Sequence, residues 1–341
     1  MPSFSPSPLY RNEGPYLRGV LLVNSGTPDT LTAAGVRSFL RRLLRDRRTI
    51  EVSRAIWCWV LYFIVLPLRP VRVLPKYRRV WTDAGSPLLV ISTRLRTALE
   101  AALSARAGEP VAVELGMLYS SPDVPTGLAR LRERGAQQIV VLPLFPQYSG
   151  TTAAAALDQV GVALRSWRFL PELHFLPDYH VDAGYIDAVA ASIAAHRAAQ
   201  PGGEHLLMSF HGIPASYVAD GDPYESHCRA TAAAIAARLG LAADAWSLSF
   251  QSRVGRARWL GPYTEATVKA LAQRGIRRLD VACPGFAVDC LETIDEMGVE
   301  AAETFHAAGG EQLRYVPALN DSAAHVDVLA AVLATHARQR P

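Results

Sequence analysis

Leu206-Leu207-Met208-Ser209-Phe210-His211-Gly212-Ile213-Pro214 is a short apolar run that stops on a histidine. Leu206 to Met208 read as a buried strand. Gly212 and Pro214 break it, so His211 falls where strand gives way to loop. In open parallel α/β sheets, ligands bind outside the carboxyl ends of the strands. A histidine placed there can accept a proton or bind a metal near neutral pH. A histidine satisfied inside a tight turn is the other reading of the same residues. The loop continues through the turn-forming Gly221-Asp222-Pro223-Tyr224 into an alanine-rich helix over about Glu225 to Leu239.

Outward from this stretch the pattern repeats. Apolar runs occur at Val20–Asn24, Val111–Leu115, Ile139–Leu144 and Leu173–Leu176, then at Leu206–Phe210, Trp246–Phe250, Leu279–Cys283 and Leu313–Pro317. Helical stretches such as Asp187–Ala199 and Glu265–Arg274 lie between them. Strands alternating with helices imply right-handed βαβ units and parallel sheets. Four strands in each half, similarly spaced, predict an α/β protein of two related Rossmann-like domains, each with a four-stranded parallel sheet flanked by helices. Residues 17–180 form the first domain and 181–320 the second. An amphipathic helix over 321–338 is expected to pack back on the first. The cleft between domains is the default ligand site.

At 341 residues the chain is long enough for two buried cores. Half the residues are hydrophobic and 19% are charged, as in ordinary globular enzymes. A net charge of +4 gives no argument for nucleic acid. The four cysteines, Cys58, Cys228, Cys283 and Cys290, show neither CxxC spacing nor a disulfide-dense pattern, which points to a reducing cytoplasm. Met1 to Pro15 lacks a signal-peptide core and reads as a loose tail. GxGxxG and GxxxxGK[ST] are both absent, so the Ser25–Asp29 loop after the first strand is not assigned to a nucleotide.

Ile56 to Leu68 (IWCWVLYFIVLPL) is the most apolar stretch. Thirteen residues fall short of the ~20 that a membrane-spanning helix needs. Two readings remain: a buried core helix, or an exposed apolar lip that holds a greasy ligand or rests on a membrane surface. Trp57 and Phe63 are its candidate contact residues, and Arg54, Arg69 and Arg72 flank it.

Several strands end in loops loaded with chemistry. Gly116–Pro122 carries Tyr119, and Pro143–Thr152 is dense in prolines, aromatics and hydroxyls. Prolines stiffen such a loop and aromatic faces can stack on a flat ligand. Gln251-Ser252-Arg253 follows the sixth run, where Arg253 could hold a carboxylate or join a structural ion pair. After Cys283, a helix is expected to begin near Asp289, with Asp289 and Glu292 at capping-box spacing. Glu292, Glu296 and Glu300 then recur every four residues, which at 100° per residue keeps them within about 80° of one helix face. Like charges at this spacing cost ~0.2–0.5 kcal/mol per pair. An acidic row kept against that cost invites a cation; a solvated helix face is the alternative.

At this point the residues resemble a known family, the ferrochelatases, which insert ferrous iron into a porphyrin. The resemblance spans about Gly19 to Asn320. It is carried by the Asn24–Asp29 loop, Gly85-Ser86-Pro87-Leu88-Leu89, Pro146-Gln147-Tyr148-Ser149, Ser209-Phe210-His211-Gly212, Gly221-Asp222-Pro223-Tyr224, Gln251-Ser252-Arg253 and Asp289-Cys290-Leu291-Glu292-Thr293, in that order. It implies the chelatase fold, with the porphyrin between two Rossmann-like domains. His211 then matches the family's active-site histidine and Glu292 its active-site glutamate, with Tyr119 also counted as catalytic. Glu296 and Glu300 fall on positions that pass metal or protons inward. His211, Glu292, Glu296 and Glu300 form the implied metal set. The implied porphyrin contacts are Ser25, Trp57, Phe63, Ser86, Tyr148, Ser149 and Arg253, with Arg78 or Arg79 meeting propionates. Ile56–Leu68 and Arg69–Arg79 lie where relatives carry the lip of the porphyrin pocket.

The chemistry fits those residue types. Two inner N–H protons must leave a porphyrin before a divalent metal sits among its four nitrogens, and an imidazole is a suitable base. Imidazole and carboxylate are suitable transient ligands for ferrous iron shedding water. A stiff cleft that favours a distorted macrocycle stabilises the transition state.

Departures from the family pattern are informative. Leu118 stands where many relatives carry Arg. Some relatives bind a [2Fe-2S] cluster through four cysteines; this chain has no cysteine-rich C-terminus, so no cluster and no tightly bound cofactor is expected, and Fe2+ is a substrate. Relatives that use coproporphyrin often carry Tyr at the position of Ser25. Ser25 and the apolar lip therefore favour protoporphyrin IX, with protohaem as product. The alternatives are a chelatase for coproporphyrin III or sirohydrochlorin, and a non-catalytic porphyrin or haem carrier. The expected location is cytoplasmic, with residues 56–68 offering peripheral contact with the inner face of the membrane.

Overall fold

A computed structural model of the chain describes residues 17–253, 255 and 257–337. The expected tail and Arg338 lie outside the described residues. The chain divides into two compact units. One comprises Met1–Leu144, Gly150–Asp178 and Leu329–Pro341; the other comprises Phe145–Ser149 and Tyr179–Val328.

The first unit is built on a four-stranded parallel sheet of β1 (Leu17–Asn24), β2 (Val111–Met117), β3 (Ala136–Pro143) and β4 (Glu172–Phe175), in the order β2-β1-β3-β4. The second repeats it with β5 (His205–His211), β6 (Trp246–Gln251), β7 (Arg278–Ala282) and β8 (Gln312–Val316), in the order β6-β5-β7-β8. All eight strands coincide with the eight apolar runs. They are near-continuous runs rather than alternating ones because helices cover both faces of each sheet. Every residue of β2 is buried, and Leu21, Leu22 and Val23 of β1 are wholly so. In the second unit Leu207, Leu279 and Val281 pack with Val268, Leu271, Met297 and Phe305. One charged cluster is embedded beside them: buried Asp280 of β7 accepts from Arg197 Nε at 2.8 Å and Arg314 Nε at 2.6 Å.

Both sheets have the same strand order, so both have the same switch point. It lies between β1 and β3 in the first and between β5 and β7 in the second, where the connections leave in opposite directions. Loops at the carboxyl ends of those strands are where such sheets hold ligands.

Of the two expected forms of the apolar run, the structure contradicts the buried core helix and leaves the exposed one standing. The run lies in an unbroken helical stretch of 27 residues, Arg54–Val80, with a π-helical turn at Leu61–Val65. By length and composition this stretch could cross a membrane, which a count of thirteen apolar residues misses. It is no core helix. In its most apolar window only 17% of residues are buried, and Ile56, Trp59, Phe63 and Val71 are 60% exposed or more. Its opposite side, including Leu61, Leu66, Pro70, Tyr77 and Val80, is buried, and the Ala33–Arg45 helix packs along it. One face on protein and one face bare is the pattern of an amphipathic surface element.

Candidate active site

The last residue of β5 is His211, half-buried, beside Gln251 at the end of β6. Its Nδ1 lies 2.6 Å from the carbonyl oxygen of Gly212. A carbonyl can only accept, so Nδ1 is the donor, and Nε2 is the ring nitrogen left for a proton or a metal. Gly212 is required by space: a Cβ there would sit 2.9 Å from the Gln251 carbonyl oxygen, to which the Gly212 N–H donates at 2.8 Å.

Gln251 joins the two sides of the switch point. Its side-chain N–H donates to the backbone carbonyl of Glu292 at 2.8 Å, and its Oε1 accepts from Ser209 Oγ at 2.7 Å. Buried Thr264 supports the same cluster, touching Ser209 Oγ at 2.9 Å and Ser249 Oγ at 2.8 Å. His211 and Glu292, 81 residues apart in sequence, are thus fixed to one buried residue. His211 is held through the strand end and Glu292 through the first turn of its helix.

That first turn is capped one residue later than expected. The N-cap is Cys290, and the reciprocal partner is Thr293, whose hydroxyl accepts from the Cys290 N–H at 3.0 Å. Asp289 does other work. Its carboxylate accepts from Thr293 Oγ1 at 2.8 Å, Tyr315 OH at 2.5 Å and Asn320 Nδ2 at 2.7 Å. The capping box expected of Asp289 and Glu292 is therefore absent, and the Glu292 carboxylate is not the cap. Burial, with Asp289 close by, pushes the Tyr315 phenol well above its ordinary range.

The acidic row is not on a regular α-helix. The α-turn Leu291–Ile294 passes into a π-turn over Glu296–Glu300, where the carbonyl of Asp295 accepts from both Val299 N–H and Glu300 N–H. The 100° step used to align the three carboxylates does not hold through that turn. Such π-turns frequently mark functional sites. Glu292, Glu296 and Glu300 are all half-buried, while Thr293, Asp295 and Met297 between them are buried. Glu296 Oε2 accepts from Ser252 Oγ at 2.5 Å, and Ser252 reaches it from a left-handed φ of 64°. This is not a freely solvated face.

In the first unit, the loops after β1 and β2 are zipped together. Leu118 N–H donates to Asn24 and Tyr119 N–H to Ser25, at 2.9 and 3.0 Å. Gly26 (φ 104°) has no room for a Cβ, which would meet Ser120 Oγ at 2.5 Å. Thr27 Oγ1 and Ser86 Oγ share a hydrogen bond at 2.7 Å. Tyr119 is buried, and its hydroxyl donates to Asp46 at 2.8 Å; burial and that neighbouring carboxylate push its pKa above the phenol range. Ser25, Ser86 and Tyr119 therefore meet at one end of the first sheet.

The other candidates are placed as follows. Tyr148 and Ser149 belong to the second unit, where Tyr148 N–H donates to His227 Nδ1 at 3.3 Å and buried Ser149 donates to Asp222 at 2.9 Å. Arg253 is exposed and lies 4.8 Å over the Tyr263 ring. Arg78 and Arg79 are exposed in the last turn of the long helix. Trp57 points inward, its indole N–H donating to Leu44 O at 2.6 Å, whereas Phe63 is bare and pairs with Trp59 at 5.7 Å between ring centroids. Trp59, not Trp57, shares the outward face with Phe63. A stretch apolar on every side carries no periodicity that separates the two. The anchoring hydrogen bonds of Gln251 and Asp289 are not visible to sequence reasoning, which names Asp289 only as a cap. Their signal is present, since both lie inside short motifs, but a buried amide leaves no mark in composition.

Known proteins show what the chain as a whole is similar to. The ferrochelatase family profile matches residues 17–337. The chain is 50% identical to the ferrochelatase of Thioalkalivibrio sulfidiphilus over 321 residues, covering 94% of this chain and 87% of that one. It is 48% identical to the ferrochelatase of Aeromonas hydrophila over 315 residues, covering 92% and 97%. Among solved structures, SirB from Bacillus subtilis with Fe3+ aligns at TM-score 0.56 and 12% identity, covering 94% and 96%. CbiX, described as the terminal enzyme of sirohaem biosynthesis in denitrifying bacteria, aligns at 0.51 and 16%, covering 93% and 99%. Those two likenesses concern the fold. The sequence relationships go further, and on them this chain belongs to the ferrochelatase family of porphyrin metal chelatases.

Proposed function

We infer that this enzyme inserts ferrous iron into protoporphyrin IX to give protohaem, with porphyrin and iron as its substrates. The observation that carries the site assignment is the placement of Gln251, which secures both the His211 strand end and the Glu292 helix start. In this reading His211 Nε2 takes the inner N–H protons of the macrocycle as iron enters. Two protons leave and one Fe2+ replaces them, so the product ring carries no net charge at its centre. Glu292 lies nearest the exchange. Glu296, aimed by Ser252, and Glu300 hand hydrated iron toward it, because hard carboxylates tolerate a partly aquated cation.

Ser25, Ser86 and Tyr119 are assigned to the porphyrin wall of the first unit, with Tyr119 acting as a neutral phenol. Tyr148, Ser149, Arg253 and Phe63 complete the substrate contacts, and Arg78 or Arg79 takes a propionate. No iron–sulfur cluster is assigned. The enzyme is assigned to the cytoplasm, with the bare face of the Arg54–Val80 helix resting on the inner face of the membrane. Ile56, Trp59 and Phe63 support that placement.

The test is anaerobic iron insertion by the purified enzyme, followed by porphyrin absorbance, with protoporphyrin IX, coproporphyrin III and sirohydrochlorin in parallel. Fastest turnover on protoporphyrin IX is expected. Faster turnover on either alternative would reassign the substrate. Porphyrin binding without insertion would make the chain a carrier.

A further inference from the structure

A cavity of about 380 Å3 opens between the Ala33–Arg45 helix and the exposed apolar helix. Ala34, Arg37, Ser38 and Arg41 line it from the first helix and Tyr62, Leu66 and Pro67 from the second. All of these residues belong to the first unit.

Arg37 and Arg41 both line the cavity. They stand at i and i+4 on one helix, a like-charge spacing that costs stability. Two nearby arginines are paired, Arg42 with Asp29 at 3.3 Å and Arg48 with Asp158 at 2.8 Å. Arg37 and Arg41 have no carboxylate partner among the described residues. Arg37 uses its Nε on the Leu66 carbonyl at 3.1 Å, which holds the guanidinium at the cavity and leaves its terminal nitrogens available for an anion. Tyr62 adds an exposed hydroxyl from the π-turn.

Beside this polar cavity, Phe63, Ile64, Leu68 and Val71 are exposed on the same apolar helix. A cationic lining next to a bare apolar stripe matches a molecule with a phosphate head and hydrocarbon tails. We propose that the cavity binds the phosphate headgroup of an anionic phospholipid, seated between Arg37, Arg41 and Tyr62, while the acyl chains lie against the exposed helix. This rests on the membrane placement proposed above and adds a lipid class to it. Guanidinium groups supply paired donors that match phosphate oxygens. Basic residues near an anionic bilayer each contribute on the order of a tenfold factor or somewhat less.

Co-sedimentation of the full-length enzyme with vesicles tests it. Two compositions are compared, phosphatidylcholine alone and equal parts phosphatidylcholine and phosphatidylglycerol. The wild type should bind the mixed vesicles more tightly. The double variant Arg37→Gln with Arg41→Gln should lose about thirtyfold on mixed vesicles and little on phosphatidylcholine. Ala34→Leu adds bulk to the cavity lining without altering charge and should also lose selectivity for the anionic lipid. Iron insertion with detergent-dispersed porphyrin should be unchanged in both variants.

Normal lipid selectivity in Ala34→Leu, with loss in the arginine variant, would mean diffuse attraction and would overturn the cavity assignment. Selectivity retained by both variants would overturn it while leaving the membrane placement standing. Failure of the wild type to bind either vesicle would remove the membrane placement itself. Inorganic phosphate bound by wild type and lost in the variants, with vesicle binding unaltered, would make this a free-phosphate site and overturn the lipid assignment.

Discussion

The side-chain amide of Gln251 donates to the main-chain carbonyl of Glu292 at 2.8 Å, across the gap between the end of β6 and the helix that follows β7. The same amide accepts from Ser209, so the contact is anchored from beneath. A buried amide with both ends used is costly to disturb. Gln251→Ala should leave the Ser209 hydroxyl and the Glu292 carbonyl short of a partner, costing about 1–3 kcal/mol of stability. Turnover should fall more than porphyrin affinity, because the displaced group is Glu292. Thermal melts combined with kcat and KM for each substrate will show it. An equal loss of affinity for both substrates would mean general loosening of the fold.

His211→Ala should reduce iron insertion by about a hundredfold or more, the range typical of a lost proton acceptor. His211 is half-buried at a strand end, so folding and porphyrin binding should survive. Fluorescence quenching by bound porphyrin reports binding separately from turnover. Near-normal turnover would remove His211 from the reaction.

Trp59→Ser with Phe63→Ser removes two side chains that are 60% and 70% exposed. Substitutions at such positions usually move stability by no more than about 0.5 kcal/mol. The melt should therefore be nearly unchanged, while vesicle binding weakens regardless of headgroup. Trp57→Ser is the contrast. Its indole is hydrogen-bonded to Leu44 on the neighbouring helix, so the substitution should destabilise the first unit. A sharp drop in melting temperature for the Trp59 and Phe63 pair would show that this face is covered in the native protein.

These contrasts show what a one-dimensional reading can and cannot see. The eight strands were legible because doubly covered parallel strands are apolar at successive positions, and His211 was legible because Gly212 and Pro214 end the run. The cap at Cys290 was not, since cysteine is an uncommon cap and Asp289 fits the usual pattern better. Nor was the π-turn at Glu296–Glu300 legible, because its i→i+5 closure leaves no spacing signature. Ile56–Leu68 could not be sorted into exposed and covered faces for the same kind of reason: every side is apolar.

His325 gives a pH dependence with a definite sign. It is wholly buried, its Nδ1 donates to Asn320 O at 2.6 Å, and burial pulls its pKa down to about 4. The unfolded chain binds the proton near pH 6.5. Between those values the unfolded state holds more protons than the native one, so stability falls as pH drops from about 6.5 toward 4. The contribution is on the order of 3 kcal/mol at most. Buried His205 is shifted the same way, by burial first and by Arg274 nearby. His325→Phe should flatten the decline in denaturant midpoint between pH 6.5 and 4. An unaltered slope would mean that other groups carry it.

The acidic row offers the sharpest separation of chemistry from stability. Glu296→Gln with Glu300→Gln keeps shape and hydrogen-bonding capacity but removes two charges. Ser252 can still donate to the amide oxygen that replaces the Glu296 carboxylate, so the left-handed turn at Ser252 keeps its anchor. Relief of like-charge repulsion should leave the helix no less stable, and firmer by a few tenths of a kcal/mol. If these carboxylates hand iron inward, insertion should nonetheless slow, and the apparent KM for iron should rise while that for porphyrin stays put. Glu292→Gln should be more severe in kcat. Because Cys290 and Thr293 form the cap, its melting temperature should stay within the range of an ordinary surface substitution. A full iron titration of the double variant that overlays the wild type would show that Glu296 and Glu300 do not serve the metal. Glu292 would then remain as the carboxylate assigned to it.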